Sequence, residues 1–367
     1  MPTTAEPLKF NFHNIVAARV FTDQRREADF FTAEYNHHLV TELPEQISTV
    51  SLHFHHRSDS NAAQIGSTQH SHKFLARWRY RIEIRPAEIE MHVTGNRMAV
   101  PMIHHMLLHP SLRYLASQKG FLLLHSGAVV HQGRSLIFTG QGGAGKTTTT
   151  SLLLSEGGAA WLPHADDYVF LQSGPETLAY LTRSHLYRSL LDWVPELRQR
   201  LTTAERLRIE MFGFLRKWSR EGIKWPVRLP IERLWPGRPA AFSAQPVALV
   251  NLTRANVPAP RLRLLGLDES PLDELIEMNF REARHFLSLL EKAKAVPDLE
   301  AWISQWKARE RLLLEKRLQE IPVYLLELPM QTASPKAYRQ ALAEKFIQLI
   351  PEEADSVESF PASSTGR

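Results

Sequence analysis

The stretch GQGGAGKTTTT, residues 140–150, has the residue types and spacing of a phosphate-binding loop. It satisfies the pattern G-x-x-x-x-G-K-[ST], in which glycines let the backbone adopt positive φ angles and bring its N–H groups close to phosphate oxygens. The lysine of the pattern reaches the β- and γ-phosphates, and the hydroxyl after it ligates Mg²⁺. The pattern residues are Gly140, Gly145, Lys146 and Thr147, and we therefore predict a nucleotide site at this loop.

Two adjacent carboxylates, Asp166 and Asp167, follow the loop within AAWLPHADDYVFL, which is predicted to form a pair of strands. Carboxylates beside a phosphate loop suit phosphoryl transfer, since one can orient Mg²⁺ while the other accepts the proton of an attacking hydroxyl. A later apolar run, residues 246–251, ends in Asn251 and supplies no carboxylate. The pair at 166–167 is therefore the predicted acidic partner of the loop.

Hydrophobic periodicity predicts the elements that hold these residues. FLLLHSGAVV is predicted as one strand, SLIFT as a second strand running into the loop, and TTTTSLLLSEG as the following helix. Strand, loop, helix and strand in this order is the context that a phosphate loop requires. Helices are expected further on, around 185–219, 270–319 and 334–349, and strands near 226–230, 246–252, 260–266 and 321–328.

The N-terminal third of the chain has a different pattern. Apolar and polar residues alternate over 48–56, 74–85 and 88–94, as in half-buried strands, and residues 98–117 have helical spacing with Pro110 expected to kink or divide the helix. We expect residues 1–118 to form a β-rich domain that ends in a helix and residues 119–351 to form a second domain. The polar residues 352–367 are expected to be a disordered tail.

Composition excludes several kinds of chemistry. None of the 367 residues is cysteine, so disulfides, thiolate metal sites and cysteine nucleophiles are excluded. No apolar run approaches the ~18 residues of a membrane span, and the N-terminus lacks the basic start and apolar run of a signal peptide. We expect a cytoplasmic protein with no membrane partner.

Positive charge is concentrated between Arg183 and Arg238, which hold thirteen Lys/Arg against six Asp/Glu and four tryptophans. Three interpretations are open: solvated faces of Arg-rich helices with the tryptophans packed inward, a groove for single-stranded nucleic acid, or a basic wall facing phosphates or an acidic acceptor. The first is the commonest arrangement, so we do not expect a nucleic-acid partner.

Histidine is frequent, with 17 copies clustered in HFHH (53–56), QHSH (69–72) and MIHH (102–105). His105 and His109 have a spacing that metals use on a helix, but no carboxylate nearby completes a set. We expect these histidines to be ordinary strand and surface residues.

The run from LHSG (124–127) through the loop to HADDYVFL (164–171) resembles the core of the HPr kinase/phosphorylase family, whose phosphate loop is similar to that of phosphoenolpyruvate carboxykinase. The resemblance covers residues 120–172. It implies an α/β fold with an HPr kinase/PEP carboxykinase-like P-loop core and an N-terminal β-rich α+β region. It also implies that the nucleotide phosphates are held by Gly140, Gln141, Gly142, Gly143, Ala144, Gly145, Lys146, Thr147 and Thr148. Asp166 is then the catalytic acid/base, Asp167 and Thr147 lie on the Mg²⁺ side, and His125 and Lys146 lie near the transferring phosphate.

Departures from the family bear on the substrate. Gln141 and Gly142 replace the usual small residue and serine, Thr148 stands where the family often has glutamate, and the glycine- and asparagine-rich segment used around the protein substrate is absent from the sequence. The resemblance implies a kinase that uses ATP and Mg²⁺, with the hydroxyl acceptor left open among a protein, a peptide and a small molecule. A non-catalytic nucleotide-binding regulator is the alternative. Relatives form dimers or hexamers, which leaves a homo-oligomer open.

Overall fold

The computed structural model describes residues 6–56, 68–72, 75–172, 174–219, 225–330 and 335–349. The described chain is mixed α/β, with helices packed against two mixed sheets, which confirms the predicted α/β class. The predicted tail at 352–367 lies outside the described residues, and the division of the chain at residue 118 stays a prediction.

The first sheet is built from the N-terminal region, and its strand order is β3-β1-β2-β4-β7-β6-β5. β2, β4 and β7 run parallel to one another, and the other pairings are antiparallel. The strands are β1 Leu8–Phe12, β2 Val16–Thr22, β3 Leu39–Val40, β4 Ser48–His56, β5 Thr68–His72, β6 Ala76–Arg85 and β7 Glu88–Gly95. In β6 the apolar side chains face the core and the arginines face solvent, which confirms the predicted alternation.

The second sheet carries the glycine loop at residues 140–145. Its order is β11-β9-β10-β16-β13-β12-β8, with β18 added on β16 and β17 on β18, while β14 and β15 form a separate ribbon. The strands are β8 Phe121–His125, β9 Gly127–His131, β10 Arg134–Gly140, β11 Trp161–Ala165, β12 Tyr168–Gln172, β13 Thr177–Ala179, β14 Ser184–Leu186, β15 Val227–Leu229, β16 Ser243–Ala255, β17 Arg261–Leu264 and β18 Val323–Pro329. β10, β16 and β18 are parallel, so their carboxyl ends lie at one edge of the sheet.

The helices are α1 Arg25–Glu34, α2 Ala99–Ile103, α3 His109–Gln118, α4 Lys146–Glu156, α5 Arg188–Trp193, α6 Thr203–Trp218, α7 Ile231–Leu234, α8 Leu272–Ala293, α9 Leu299–Glu320 and α10 Pro335–Ile347. A capping box starts α6, because the Thr202 hydroxyl accepts from the Glu205 backbone N–H and the Glu205 carboxylate accepts from the Thr202 N–H. Among the described residues, no helix is both long and apolar enough to cross a bilayer.

The predicted strand FLLLHSGAVV is two strands, so that prediction was wrong. β8 ends at His125 and pairs with β12, whereas β9 begins at Gly127 and lies between β11 and β10. The break falls at Ser126, whose backbone N–H donates to the Asp167 carbonyl (2.9 Å) instead of a strand neighbour. Both strands have buried middles, which is why the run was continuously apolar.

The predicted helix at 98–117 is continuous rather than divided at Pro110. A π-helical turn, His104–Leu108, joins α2 to α3, and the His109 N–H donates to the His104 carbonyl five residues back. This wider turn comes immediately before the proline, which has no N–H to donate. α3 is buried along nearly its whole length and packs against β2, β4, β8 and α9, so it forms the centre of a core shared by both sheets.

Candidate functional site

The glycine loop lies at the carboxyl end of β10, beside the carboxyl end of β16. Gly140, Gly143 and Gly145 have φ angles of 136°, 89° and 116°, which side-chain-bearing residues rarely adopt. A β-carbon on Gly140 would also lie 2.5 Å from the Leu252 carbonyl oxygen. The glycines predicted from the phosphate-loop pattern are therefore required by the backbone that the chain adopts here.

Lys146 is the first residue of α4 and is buried, with its ammonium donating to the Gly140 carbonyl (2.7 Å). Burial lowers the pKa of Lys146, while Asp167, Glu282 and Asp166 oppose that shift. The ammonium is thus held over the loop by the loop's own backbone. Thr147 follows it in the first turn and lines the same small cavity as Asp166, whose pKa its hydroxyl lowers.

Asp166 lies in the short connection between β11 and β12 and is buried. Its carboxylate accepts the His185 backbone N–H (3.0 Å) in addition to its contact with Thr147. Burial and then the neighbouring Asp167 charge raise the pKa of Asp166 to about 6. This carboxylate is therefore turned toward the loop threonine predicted to ligate Mg²⁺.

Asp167 faces the cleft, whereas Asp166 faces the loop. Asp167 lines a cleft of about 760 Å³ and forms an ion pair with His185, whose Nδ1 lies 2.8 Å from Asp167 Oδ2. Burial alone would raise the pKa of Asp167, but the His185 charge and hydrogen bond, together with His125 and Lys146, lower it below its ordinary value. The same pair raises the pKa of His185 despite its burial. Neighbouring carboxylates with pKa values displaced in opposite directions are common at reactive sites.

His125 ends β8 and also lines the cleft. Its backbone N–H donates to Asn279 Oδ1 (2.9 Å), and its Nδ1 lies 3.6 Å from the Glu282 carboxylate. Burial, followed by the charge of Lys146, lowers the pKa of His125 to about 3. The structure thus brings His125 close to the loop lysine and the acidic pair, with a neutral imidazole at neutral pH.

The cleft lies between the N-terminal region and the basic segment. Its walls include Glu34 of α1, the turn after α2, and Arg183, Arg208 and Arg228. Arg228 is paired with the buried Glu34 carboxylate (3.1 Å), which ties the basic segment to the first sheet's helix. The basic residues therefore line a cavity that reaches Asp167. That this wall faces phosphates or an acidic acceptor, the third interpretation, stays a prediction.

The prediction that the tryptophans of this segment pack inward is only partly correct. Trp235 is buried beneath the Arg200 guanidinium, which lies 5.0 Å from its ring centroid, and Trp225 packs on Phe212 at the cleft. Trp218 is 74% exposed at the end of α6. The tryptophans of this basic segment therefore occupy three environments: the core, the cleft wall and the solvent-exposed surface.

Three residues of the site were missed by sequence reasoning: His185, Asn279 and Glu282. His185 belongs to no motif, and only the pairing of β14 with β15 brings it to the carboxylates. Asn279 and Glu282 are three residues apart on α8, so they share a helix face. That spacing of polar residues within an otherwise apolar face was the signal that could have located them.

No protein-family model matches this chain, and no curated protein matches it either. The resemblance to the HPr kinase/phosphorylase family stays a prediction. Assignment of a function therefore depends on the geometry of the loop, the acidic pair and the cleft.

Proposed function

We propose that the protein is a kinase with an HPr kinase-like P-loop core that transfers the γ-phosphate of ATP, as its Mg²⁺ complex, to a hydroxyl group. One observation carries the proposal: a buried lysine on a glycine loop adjoins two carboxylates, one turned toward the loop and the other toward a cleft. Phosphoryl transfer needs those parts, because the protein's contribution is mainly charge stabilisation and positioning.

The loop fits a nucleotide phosphate on structural grounds. Its glycines have positive φ angles, the space beside Gly140 excludes a β-carbon, and the loop runs into the N-terminus of an eleven-residue helix. Lys146, Thr147 and the loop N–H groups would hold the phosphates and the metal. The bound nucleotide supplies the electrophilic phosphoryl group, and the remaining chemistry belongs to side chains of this chain.

The geometry supports an exchange of the two aspartate roles implied by the family resemblance. Asp166 contacts Thr147 and is enclosed, so we assign it to the metal side. Asp167 lines the cleft and is ionised, so we assign it to accept the proton of the attacking hydroxyl. Position takes precedence over pKa here, because a general base must first reach the proton that it removes.

His185 holds both carboxylates in this arrangement. Its backbone N–H binds Asp166, and its ring binds Asp167, so a single residue orients the pair. We assign it as a positioning residue. His125, neutral and close to Lys146, would donate or accept a hydrogen bond near the transferred group without adding charge.

The acceptor would enter the cleft that Asp167 lines. A volume of about 760 Å³ lies within the range of roughly 300–1,000 Å³ usual for small-molecule sites. The cleft also accommodates an extended peptide side chain, so protein, peptide and small-molecule acceptors remain the candidates. The arginines on its walls favour an acceptor with negative charge away from the reacting hydroxyl.

The test uses purified protein, Mg²⁺ and γ-labelled ATP, with fractionated cell extract as the source of acceptors. We expect label transfer by the wild type and a loss of about 10³-fold in Lys146→Ala, because a buried charge that stabilises the transferred group is removed. Lys119→Ala, which changes an exposed lysine after α3, is the matched control and should transfer label normally.

Separate titrations with ATP distinguish a kinase from a nucleotide-binding regulator. Tight binding of ATP with no transfer to any fraction would favour the non-catalytic regulator over the kinase. Absence of ATP binding by well-folded wild-type protein would contradict both functions.

A further inference from the structure

A second group of chemically competent residues lies on the first sheet, outside the loop and the cleft. β4 and β7 are parallel neighbours, and their register places His53 directly beside His92. Glu90 is two residues before His92 on β7, so both side chains emerge on the same face of the sheet. Three potential metal ligands are thus brought to one face by strand pairing alone.

The three side chains converge on one point. His92 Nε2 lies 3.0 Å and His53 Nε2 3.6 Å from the same Glu90 oxygen, Oε1. One ligand atom from each residue lies within 4.8 Å of the other two. Ligand atoms around a tetrahedral zinc ion are roughly 3.4 Å apart, so the observed distances bracket the spacing that a metal requires.

Neighbouring side chains hold these groups in place. The two imidazole rings are stacked, with centroids 4.5 Å apart and planes 9° from parallel, and Phe21 stacks on the other face of His53 at 4.2 Å. Arg85 lies 3.5 Å from the second oxygen of Glu90. The Arg85 contact orients the Glu90 carboxylate. Because a metal ion lies in the plane of the imidazole that binds it, ion binding would tilt the two rings out of this stack.

We propose that His53, Glu90 and His92 form a binding site for a divalent transition metal ion of the zinc type. Two imidazoles and a carboxylate are ligands that zinc accepts, and three protein ligands leave a further position for water or an exogenous ligand. All three residues are half-buried, so the site is open to solvent on one side. The proposal is independent of the nucleotide site and of the kinase function.

The test is titration of metal-free, untagged full-length protein with Zn²⁺ by calorimetry, in excess Mg²⁺ and without nucleotide. We expect one equivalent of high-affinity binding. His53→Ala and His92→Ala should each weaken that binding by at least about 100-fold, because a direct ligand is removed. His55→Ala is the matched control. His55 is two residues after His53 on the same face of β4 and pairs with Thr94, so its loss should leave binding unchanged.

A spectroscopic measurement separates loss of a metal ligand from misfolding of the variant. Co²⁺ added to metal-free wild type should give the visible absorption of a nitrogen- and oxygen-ligated site, and His53→Ala with normal circular dichroism should lack it. Asp167→Asn should retain the spectrum, which separates this site from the acidic pair. Failure of wild type to bind one equivalent, or equal binding by His53→Ala, would overturn the proposal and leave only the hydrogen bonds to Glu90.

Discussion

Two buried charged networks meet at Asn279, and they differ in how completely their polar atoms are paired. In the core, the Arg113 guanidinium donates to both oxygens of Glu310, and Glu310 also accepts from Trp306 Nε1 (2.8 Å) and from the Asn279 amide (3.4 Å). At the cleft, His125 Nδ1 and His185 Nε2 have no hydrogen-bond partner among the described residues.

The two networks also differ in how far they are enclosed by the protein. The Arg113–Glu310 pair is almost fully enclosed and joins α3 to α9, with the arginine also lying 4.8 Å over the rings of Phe280 and Trp306. Its charges are satisfied inside the protein. At the cleft the unpaired atoms belong to the two imidazoles, while the carboxylates have partners. The ion pair with His185 lowers the pKa of Asp167, and burial raises the pKa of Asp166.

Asp167→Asn should have the largest effect. We expect phosphoryl transfer to fall about 10²- to 10⁴-fold with ATP affinity retained, because the proposed proton acceptor is lost while the loop is intact. Asp166→Asn should mainly raise the Mg²⁺ concentration needed for half-maximal transfer. Steady-state kinetics over a Mg²⁺ series measures both. If Asp166→Asn abolishes turnover at saturating Mg²⁺ and Asp167→Asn does not, Asp166 is the base and our exchange of roles is wrong.

Glu310→Gln should destabilise the protein by about 3–5 kcal/mol, because it leaves the buried Arg113 charge unpaired. Chemical denaturation followed by circular dichroism measures the change. Glu269→Gln, which breaks an exposed pair with Arg263, is the control and should change the free energy of unfolding by less than about 1 kcal/mol. A small effect of Glu310→Gln would show that the enclosed network does not sustain the core, and the contrast between the two networks would fail.

The smallest of the expected effects is on the pH dependence of phosphoryl transfer. Because the pKa of Asp166 is raised to about 6, this carboxyl is neutral below that pH, and transfer should be present above it and lost as pH falls through it. Removing the His185 charge removes an interaction that favours the ionised pair, so His185→Gln should move the acid limb upward, by about one pH unit. Rate measurements over pH 5–8 with both proteins compare the limbs. An unchanged limb in His185→Gln would show that the imidazole does not tune the carboxylates.

Local patterns in the sequence predicted a large part of the fold. The alternation in β6 located a strand with one buried face, and the glycine pattern located a loop whose φ angles require glycine at Gly140, Gly143 and Gly145. Both signals arise from interactions between residues near one another in the chain. Pro110 does not divide the helix, but a π-turn comes directly before it, so the regular helix is interrupted at the position that the proline indicated.

The sequence by itself determined the glycine loop at 140–145, the adjacent carboxylates and the mixed α/β class, because each depends on short-range spacing. Only the tertiary structure decided that Asp166 turns toward Thr147 while Asp167 turns toward the cleft with His185. It also decided that His53 adjoins Glu90 and His92 from a strand almost forty residues away. Strand pairing and burial set these relations, and neither is encoded in the spacing of residues along one segment.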